Sequence, residues 1–307
     1  MSRITPGGLL GCREEPFNGK VFYTHKGVRH WVPSAEHIKA YGFRWPDDVF
    51  WVTAPEIREF RLGGSLPMPW SDADRAGPPQ NSCVTMREVL GCTLRGSGVE
   101  FGAGSSPFPV PVDCDVSFAD FLTQEQLKQR KYPGQTDDFV QLTHITSLDS
   151  MDIIQESSLD FVIACHVIEH THNPLRVFEL VYRALRPGGS FVLVVPDMRL
   201  TFDSAREATS LDHLVEDYRS WNPDRDILHF VEFFSKAFVT PIGELYDRVR
   251  NAIATQHDIH FHTWTYDSFR TLVEYSQTGI SPWQKVWSHP PAKEAADANE
   301  FYYLLTK

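Results

Sequence analysis

The stretch GVEFGAGSSPFPVP, residues 98–111, decides the fold of this chain. It begins as a short apolar strand that carries the acid Glu100, and Gly102, Ala103 and Gly104 then form a bend. Glycines at the carboxyl end of a parallel strand leave backbone amides open to a ligand, in the crevice of a doubly wound sheet. The stretch therefore predicts a ligand-binding bend after the first strand of such a sheet.

Two departures from the dinucleotide-binding fingerprint limit the class of ligand that this bend is expected to bind. The third glycine of that pattern is missing after Gly104, and Pro107 follows in a proline-rich turn where a helix would begin. A pyrophosphate on a helix N-terminus is therefore disfavoured, and with it a nicotinamide-dependent oxidoreductase. The pattern favours a nucleotide-like ligand without phosphates.

A second acid closes the next predicted strand, DVSFAD, residues 115–120. Asp120 follows Glu100 by about twenty residues, the separation expected of a carboxylate that accepts hydrogen bonds from a ribose diol. Asp113 and Asp115 compete for this role, but they precede the apolar run and are expected in the loop.

Strand and helix patterns alternate from residue 98 to residue 196, which predicts a parallel sheet with right-handed crossovers. The predicted helices cover residues 82–94 and 123–131, a third helix begins at Asn173–Pro174, and a fourth is capped by Thr265. The further predicted strands are residues 140–145, 159–170, 190–197, 284–289 and 300–307. The segment 197–258 between them is mostly helical by pattern and lies where a substrate-binding cap is expected.

The remainder of the chain predicts a small module joined by a linker. Residues 1–18 are interpreted as an arm, residues 19–60 as an aromatic-rich module, and residues 61–81, rich in Gly, Pro and Asp, as a linker to a large domain, residues 82–307. The tryptophans of the module can stack on sugar rings or simply form its core. A protein or glycan contact through this module is therefore an open expectation.

Composition limits the partners. The formal net charge is −11 and the basic residues are scattered, which argues against a nucleic-acid surface. Neither a signal peptide nor a membrane span is apparent, so a cytoplasmic protein is expected. Five cysteines without CxxC spacing predict reduced thiols.

Three stretches carry a resemblance to a known family: EFGAGSSPFPVP, LDFVIACHVIEHTHNPLRVFELVYRALRPGGSFVLVVPD and HFHTWT. Together they resemble bacterial class I S-adenosylmethionine-dependent methyltransferases, in particular a group associated with glycan or surface-polysaccharide synthesis, over residues 82–307. The resemblance implies a mainly parallel, Rossmann-like sheet of seven strands, with a helical insertion after the fifth strand. It also implies S-adenosyl-L-methionine as cofactor and a sugar or glycan intermediate as acceptor. The predicted cofactor-binding residues are Glu100, Gly102, Ala103, Gly104, Asp120, Asp149 and Cys165.

Methyl transfer to a hydroxyl needs a base near neutral pH, and histidines at the carboxyl edge of the sheet are the candidates. His166, at the end of the fourth strand, is the first choice, although a structural bridge is an alternative. Glu169 and His170 either face the site or cap the following helix. The order of residues in HVIEH differs from that of the HExxH zinc motif, so no metal is predicted.

Further candidates follow in the second half of the chain. His260 and His262 alternate, so only one of them can face the crevice; His260 is taken as a second catalytic candidate and His262 as a substrate contact. Asp197 and Arg199 are predicted to bind substrate, or else to belong to a salt-bridge lattice with Asp203 and Arg206. His213 and Asp217, one helical turn apart, are assigned to the same lattice. Asp149 either binds the adenine amino group or lies in an exposed loop.

The resulting prediction is an O-methyltransferase that acts by in-line displacement with a histidine base. Two alternatives stay open: a small-molecule O- or N-methyltransferase, and a cofactor-binding partner protein without turnover. Release of S-adenosylhomocysteine distinguishes an enzyme from the latter.

Overall fold

The computed structural model describes residues 7–68, 85–131, 133, 138–291 and 299–307. The chain divides into two compact units, residues 1–145 and residues 146–307. The predicted linker from residue 69 onward, the start of the predicted helix 82–94, and Cys83 lie outside the described residues. The cysteines within them, Cys12, Cys92, Cys114 and Cys165, carry free thiols.

The described residues form twelve strands and nine α-helices. The strands are β1 (Leu9–Cys12), β2 (Val21–His25), β3 (Val28–Trp31), β4 (Val49–Val52), β5 (Arg61–Leu62), β6 (Ser97–Phe101), β7 (Asp115–Asp120), β8 (His144–Ile145), β9 (Leu159–Cys165), β10 (Leu185–Pro196), β11 (Lys285–His289) and β12 (Glu300–Thr306). The helices are α1 (Ala35–Ala40), α2 (Ala54–Arg58), α3 (Met86–Gly91), α4 (Gln124–Gln126), α5 (Pro174–Ala184), α6 (Leu211–Ser220), α7 (Pro223–Glu232), α8 (Ile242–Ala254) and α9 (Tyr266–Ser276).

The predicted α/β class is confirmed. Strands β6 to β12 make up a seven-stranded sheet, in the order β6-β7-β8 within the first unit and β11-β12-β10-β9 within the second. In the first unit β6 pairs with β7 and β7 with β8, both parallel, and in the second β9 pairs parallel with β10. The last two strands run antiparallel, β12 to β10 and β11 to β12.

The first unit also contains a five-stranded sheet in the order β4-β1-β2-β3-β5. Its first strand corrects the expected N-terminal arm, because Leu9–Cys12 lies between β2 and β4 and pairs with both. The physical reason is burial: all four residues of β1 are buried, and Leu9 and Leu10 belong to the cores on the two faces of this sheet. Adjacent residues of a strand point to opposite faces of the sheet, so the consecutive leucines Leu9 and Leu10 were the feature of the sequence that indicated a strand buried on both faces.

The proline-rich turn of residues 107–111 packs closely inside the first unit. A Cβ atom at Gly64 would lie 1.9 Å from the carbonyl oxygen of Phe108, and one at Gly91 would lie 1.8 Å from that of Pro109. Only glycine allows such approach. As the prolines predicted, no helix begins between the glycine bend and β7.

The second unit is built on β9, whose residues 161–164 are fully buried. Asn173 caps α5 by accepting from the Arg176 amide at 3.0 Å, and Pro174 begins the helix, as predicted. Strand β10 begins five residues before the predicted position, since Leu185 already pairs with Leu159. The register shifts between Leu185 and Ser190, and this irregularity accommodates the RPGG sequence of residues 186–189.

The predicted helical insertion after the fifth strand is present as α6, α7 and α8, with short 3-10 turns before them. Its interior is a cluster of aromatic and aliphatic side chains in which Phe230, Phe233 and Phe234 pack on Ile259 and Phe261. This cluster ties the insertion to the segment that precedes α9.

The third predicted strand is shorter than expected. Only His144–Ile145 pairs with β7, whereas residues 140–145 were predicted. The amide of Val140 instead donates to the carbonyl oxygen of Gly104 at 3.0 Å, so the chain approaches the glycine bend before the strand begins.

Candidate active site

The glycine bend lies at the carboxyl end of β6, beside the end of β7. Phe101 pairs with Ala119, and the Gly102 amide donates to the carbonyl oxygen of Ala119 at 3.0 Å, which places Asp120 next to the bend. Gly102 and Gly104 have φ angles of 71° and 55°, in the left-handed region. A carboxylate beside bare, sharply turned backbone is a donor and acceptor set that fits a nucleoside.

Asp120 is buried, and its Oδ1 accepts a hydrogen bond from the Leu122 amide at 3.0 Å. Ala103, between the two glycines, is also buried and packs against Phe118 and Val140. The bend is therefore fixed from below by apolar contacts and from the side by backbone hydrogen bonds.

Glu100 has a structural contact of its own. Its Oε1 and Oε2 accept from the Phe108 amide at 2.9 and 3.0 Å, and the side chain is 1% exposed. Burial raises the pKa of this carboxyl to about 8, against the opposing effect of the Phe108 hydrogen bond. Glu100 thus anchors the proline-rich turn, and a direct contact with cofactor stays a prediction.

His166 follows β9 directly and has a φ angle of 53°, an uncommon conformation for a residue other than glycine. Its Nε2 lies 2.6 Å from Oε2 of Glu300, and its Nδ1 lies 3.8 Å from Oε1 of Glu169. The side chain is 33% exposed, whereas both carboxylates are almost fully buried. A partly exposed imidazole between two buried acids can accept a proton and hold the resulting charge.

Two histidine side chains lie close to Glu169. Both of its carboxylate oxygens are buried without a hydrogen-bond partner, and one donor atom of each of Glu169, His170 and His260 lies within 4.8 Å of the others. His170 Nδ1 is 2.9 Å from Asp258 Oδ1, and His260 Nδ1 is 2.6 Å from Asp203 Oδ2. These contacts orient both imidazoles toward one another, with ring centroids 4.7 Å apart.

Asp197 and Arg199 form one pair rather than two separate contacts. Arg199 donates to both oxygens of the buried Asp197 carboxylate, at 2.9 and 2.7 Å, while its own side chain is mostly exposed. Burial alone would raise the pKa of Asp197, but the hydrogen bonds from Arg199 hold it below its usual value. The exposed guanidinium is the part that a ligand can reach.

Of the four residues in the predicted lattice, Asp203 and Arg206 pair with each other, whereas Asp197 and Arg199 form a pair of their own. Arg206 is buried and donates to Asp203 at 2.9 Å and to the carbonyl oxygens of His260 and Phe261 at 2.8 and 3.3 Å. Glu232, on α7, accepts a further hydrogen bond at 2.9 Å. Arg206 therefore connects the insertion to the segment that carries His260.

The two alternating histidines, His260 and His262, have different surroundings. His260 contacts Asp203, whereas His262 is fully buried, with its Nε2 3.3 Å from the carbonyl oxygen of His172. Burial holds the pKa of His262 well below its usual value, and nearby His229 lowers it further. His213 and Asp217 do not join the Arg206 lattice; they lie beside His262 in a second polar cluster.

A cavity of about 710 Å³ opens in the second unit beside this cluster. Its lining is mostly polar: Asp149, His172, Asn173, Arg176, Glu179, Asp217, Tyr218, Arg219, Ser220 and Trp221. Asp149 is not a free loop residue, since it accepts from the Ser147 hydroxyl at 2.7 Å and from the His172 amide at 2.9 Å. Cys165, the last residue of β9, pairs in register with Val194.

Sequence reasoning missed three residues of this region. Glu300, the partner of His166, stands 134 residues away in sequence at the start of β12. Asp258 and His229 were likewise unassigned, although His229 belongs to an amphipathic helix and lies on its buried face. The position of His229 among the apolar residues on one face of this helix was the feature of the sequence that could have identified it.

Comparison with known proteins identifies the family. A family model described as "Methyltransferase domain" matches residues 82–239, more than half of the chain. A search of curated proteins gives no match.

None of the helices in the described part of the chain is both long enough and apolar enough to cross a membrane.

Solved structures that are similar include a SAM-dependent methyltransferase of Thermotoga maritima, 14% identical, which covers 72% of this chain and 87% of its own, with a TM-score of 0.38. A protein of Pyrococcus horikoshii is 16% identical over 78% of this chain and 99% of its own, with a TM-score of 0.39. An arsenic(III) S-adenosylmethionine methyltransferase of Chlamydomonas reinhardtii is 17% identical over 68% and 62%, with a TM-score of 0.29.

The chain belongs to this methyltransferase domain family. The predicted class, an enzyme that takes its methyl group from S-adenosylmethionine, is confirmed.

Proposed function

We propose that this enzyme methylates an oxygen of a sugar or glycan intermediate, with His166 as the base. The methyl group passes from the sulfonium to the acceptor oxygen in one in-line displacement. Sulfur leaves as a neutral thioether, and the hydroxyl proton goes to the imidazole. The cofactor binds in this proposal at the glycine bend, with Asp120 on the ribose diol and Gly102, Ala103 and Gly104 against the nucleoside.

The observation that carries the proposal is the geometry of His166. Its Nε2 donates to Glu300 at 2.6 Å, which assigns the proton to that nitrogen and leaves the lone pair on Nδ1. When Nδ1 accepts a proton, Glu300 and the nearby Glu169 carboxylate stabilise the imidazolium. An uncommon backbone conformation at such a residue is typical of functional sites.

The polar groups next to this histidine support the proposed acceptor class. Glu169 has two buried oxygens without hydrogen-bond partners, and such oxygens favour a ligand that offers hydroxyl donors. His170 and His260 add ring nitrogens within reach of the same point. Adjacent sugar hydroxyls meet this set better than an apolar or singly polar acceptor.

A screen of nucleotide sugars with detection of S-adenosylhomocysteine tests the proposal. With an accepted sugar, we expect His166→Ala to lower kcat by at least about 100-fold, since general bases contribute about 10²–10⁴-fold. The affinity for S-adenosylhomocysteine should stay within a few-fold of wild type. His257→Gln, on the exposed surface, is the matched control.

Two outcomes would contradict parts of the proposal. A near-normal rate of His166→Ala would exclude the histidine as base and favour an acceptor that needs none, such as an amine. Turnover of small hydroxylated aromatics, with no nucleotide sugar accepted, would exclude the glycan acceptor.

A further inference from the structure

A cluster of three histidines and one aspartate lies in the second unit, apart from His166. It consists of His213 and Asp217 on α6, His229 on α7 and His262 in the segment before α9. One potential ligand atom from each residue lies within 4.8 Å of all the others, and three of the four residues are buried. The four residues thus bring together the donor types of a transition-metal site.

The distances within the cluster match those between neighbouring ligands of one ion. His213 Nε2 lies 3.0 Å from Asp217 Oδ2 and 3.2 Å from His229 Nε2, and His262 Nε2 lies 4.0 Å from the same Asp217 oxygen. A tetrahedral zinc ion with bonds of about 2.0–2.1 Å places its ligand atoms roughly 3.3 Å apart. Only small side-chain movements are needed to bring all four to that spacing.

Hydrogen bonds alone leave the cluster unsatisfied. Asp217 Oδ2 and His262 Nδ1 are both buried without a hydrogen-bond partner. His213 Nε2 lies 3.0 Å from Asp217 Oδ2 and 3.2 Å from His229 Nε2, so one proton on this nitrogen has to serve both atoms. Buried polar atoms without partners are uncommon in folded proteins, and a bound metal ion would satisfy the Asp217 oxygen.

The surroundings orient the ligands as the outer groups of metal sites do. Arg225 Nε donates to Oδ1 of Asp217 at 2.6 Å and leaves Oδ2 toward the histidines. His262 Nε2 also lies 3.3 Å from the His172 carbonyl oxygen, a contact that it gives up when it binds the ion. His213 is partly exposed and gives an ion a path of entry.

We propose that His213, Asp217, His229 and His262 bind one zinc ion, which fastens α6 and α7 to the segment before α9. Four protein ligands make a closed, structural type of site. Asp217 also lines the polar cavity, so the ion stabilises one wall of it.

The test uses the full chain, stripped with EDTA and then titrated with zinc in the presence of a chromophoric chelator. We expect one equivalent to bind, and zinc to raise the melting temperature. Cobalt(II) should give the visible absorption of a tetrahedral complex. The double variant His213→Gln/His229→Gln should lose all three effects, while His257→Gln, a histidine outside the cluster, should keep them.

Either of two results would overturn the proposal. The first result is that the stripped wild-type chain, although native by circular dichroism, binds neither zinc nor cobalt. Alternatively, the double variant binds zinc with the same stoichiometry and affinity as the control. If the double variant does not fold, the cobalt spectrum of the wild type decides, because six-coordinate surface binding gives only weak absorption.

Discussion

Glu100→Gln should remove a large part of the pH dependence of stability. The pKa of Glu100 is about 8 in the folded chain against an ordinary value of 4.5, because the carboxyl is buried at the end of β6. Between these two values the folded state holds a proton that the unfolded chain releases. The free energy of unfolding therefore falls as pH rises through this window, by about 1.4 kcal/mol for each pH unit.

From pH 6 to pH 8 this single group should cost about 2 kcal/mol, after allowance for half-ionisation of the folded state near pH 8. A glutamine keeps a carbonyl oxygen for the Phe108 amide and has no charge to lose. The difference in unfolding free energy between the variant and wild type should therefore shift by about 2 kcal/mol in favour of the variant over that range.

Urea unfolding followed by tryptophan fluorescence at pH 6, 7 and 8 measures this shift. Glu244→Gln, on the exposed surface of α8, should change stability equally at all three values. A difference between Glu100→Gln and wild type that is independent of pH would refute the reasoning, since it would mean that Glu100 ionises alike in both states.

Three further outcomes are expected. Gly91→Ala should lower the free energy of unfolding by about 3 kcal/mol, because its Cβ would overlap a backbone carbonyl of the proline-rich turn; Gly243→Ala, in open space on α8, should change it by less than about 1 kcal/mol. Arg206→Ala should cost about 3–5 kcal/mol in thermal or urea unfolding, since it leaves buried acceptors without their cation. Glu300→Gln should lower kcat at least about tenfold, with S-adenosylhomocysteine affinity within about twofold in calorimetry, because it removes the charge that holds His166; unchanged kcat would exclude this positioning role.

Local patterns predicted most of the fold. The glycine bend, the start of β9 and the cap at Asn173 depend on neighbours in sequence, and each appears where the sequence placed it, although β9 ends at Cys165 and not at residue 170. The errors lie where distant contacts decide. The prediction for β1 was wrong because its pairing with β2 and β4 joins segments that are distant in sequence. The predicted start of β10 was five residues late because Leu185 pairs with Leu159 on the neighbouring strand.

Less of the candidate site than of the fold could be predicted from the sequence. The histidines could be selected by their position at strand ends, but their partners could not, since Glu300 reaches His166 and Asp203 reaches His260 only through tertiary folding. The same holds for His229, whose neighbour His262 lies on another element. Residue type identifies candidate chemistry, whereas side-chain pairing requires the packed chain.

Calorimetric titration with S-adenosylhomocysteine tests most directly the claim that the cofactor binds at the bend between β6 and β7. We expect wild type to bind one equivalent and Asp120→Ala to bind at least about tenfold more weakly, the usual loss for a hydrogen bond to a charged group. Asp115→Ala, the competing acid at the other end of β7, should bind as wild type does. Equal affinity in Asp120→Ala and wild type, or loss of binding in Asp115→Ala alone, would contradict the account.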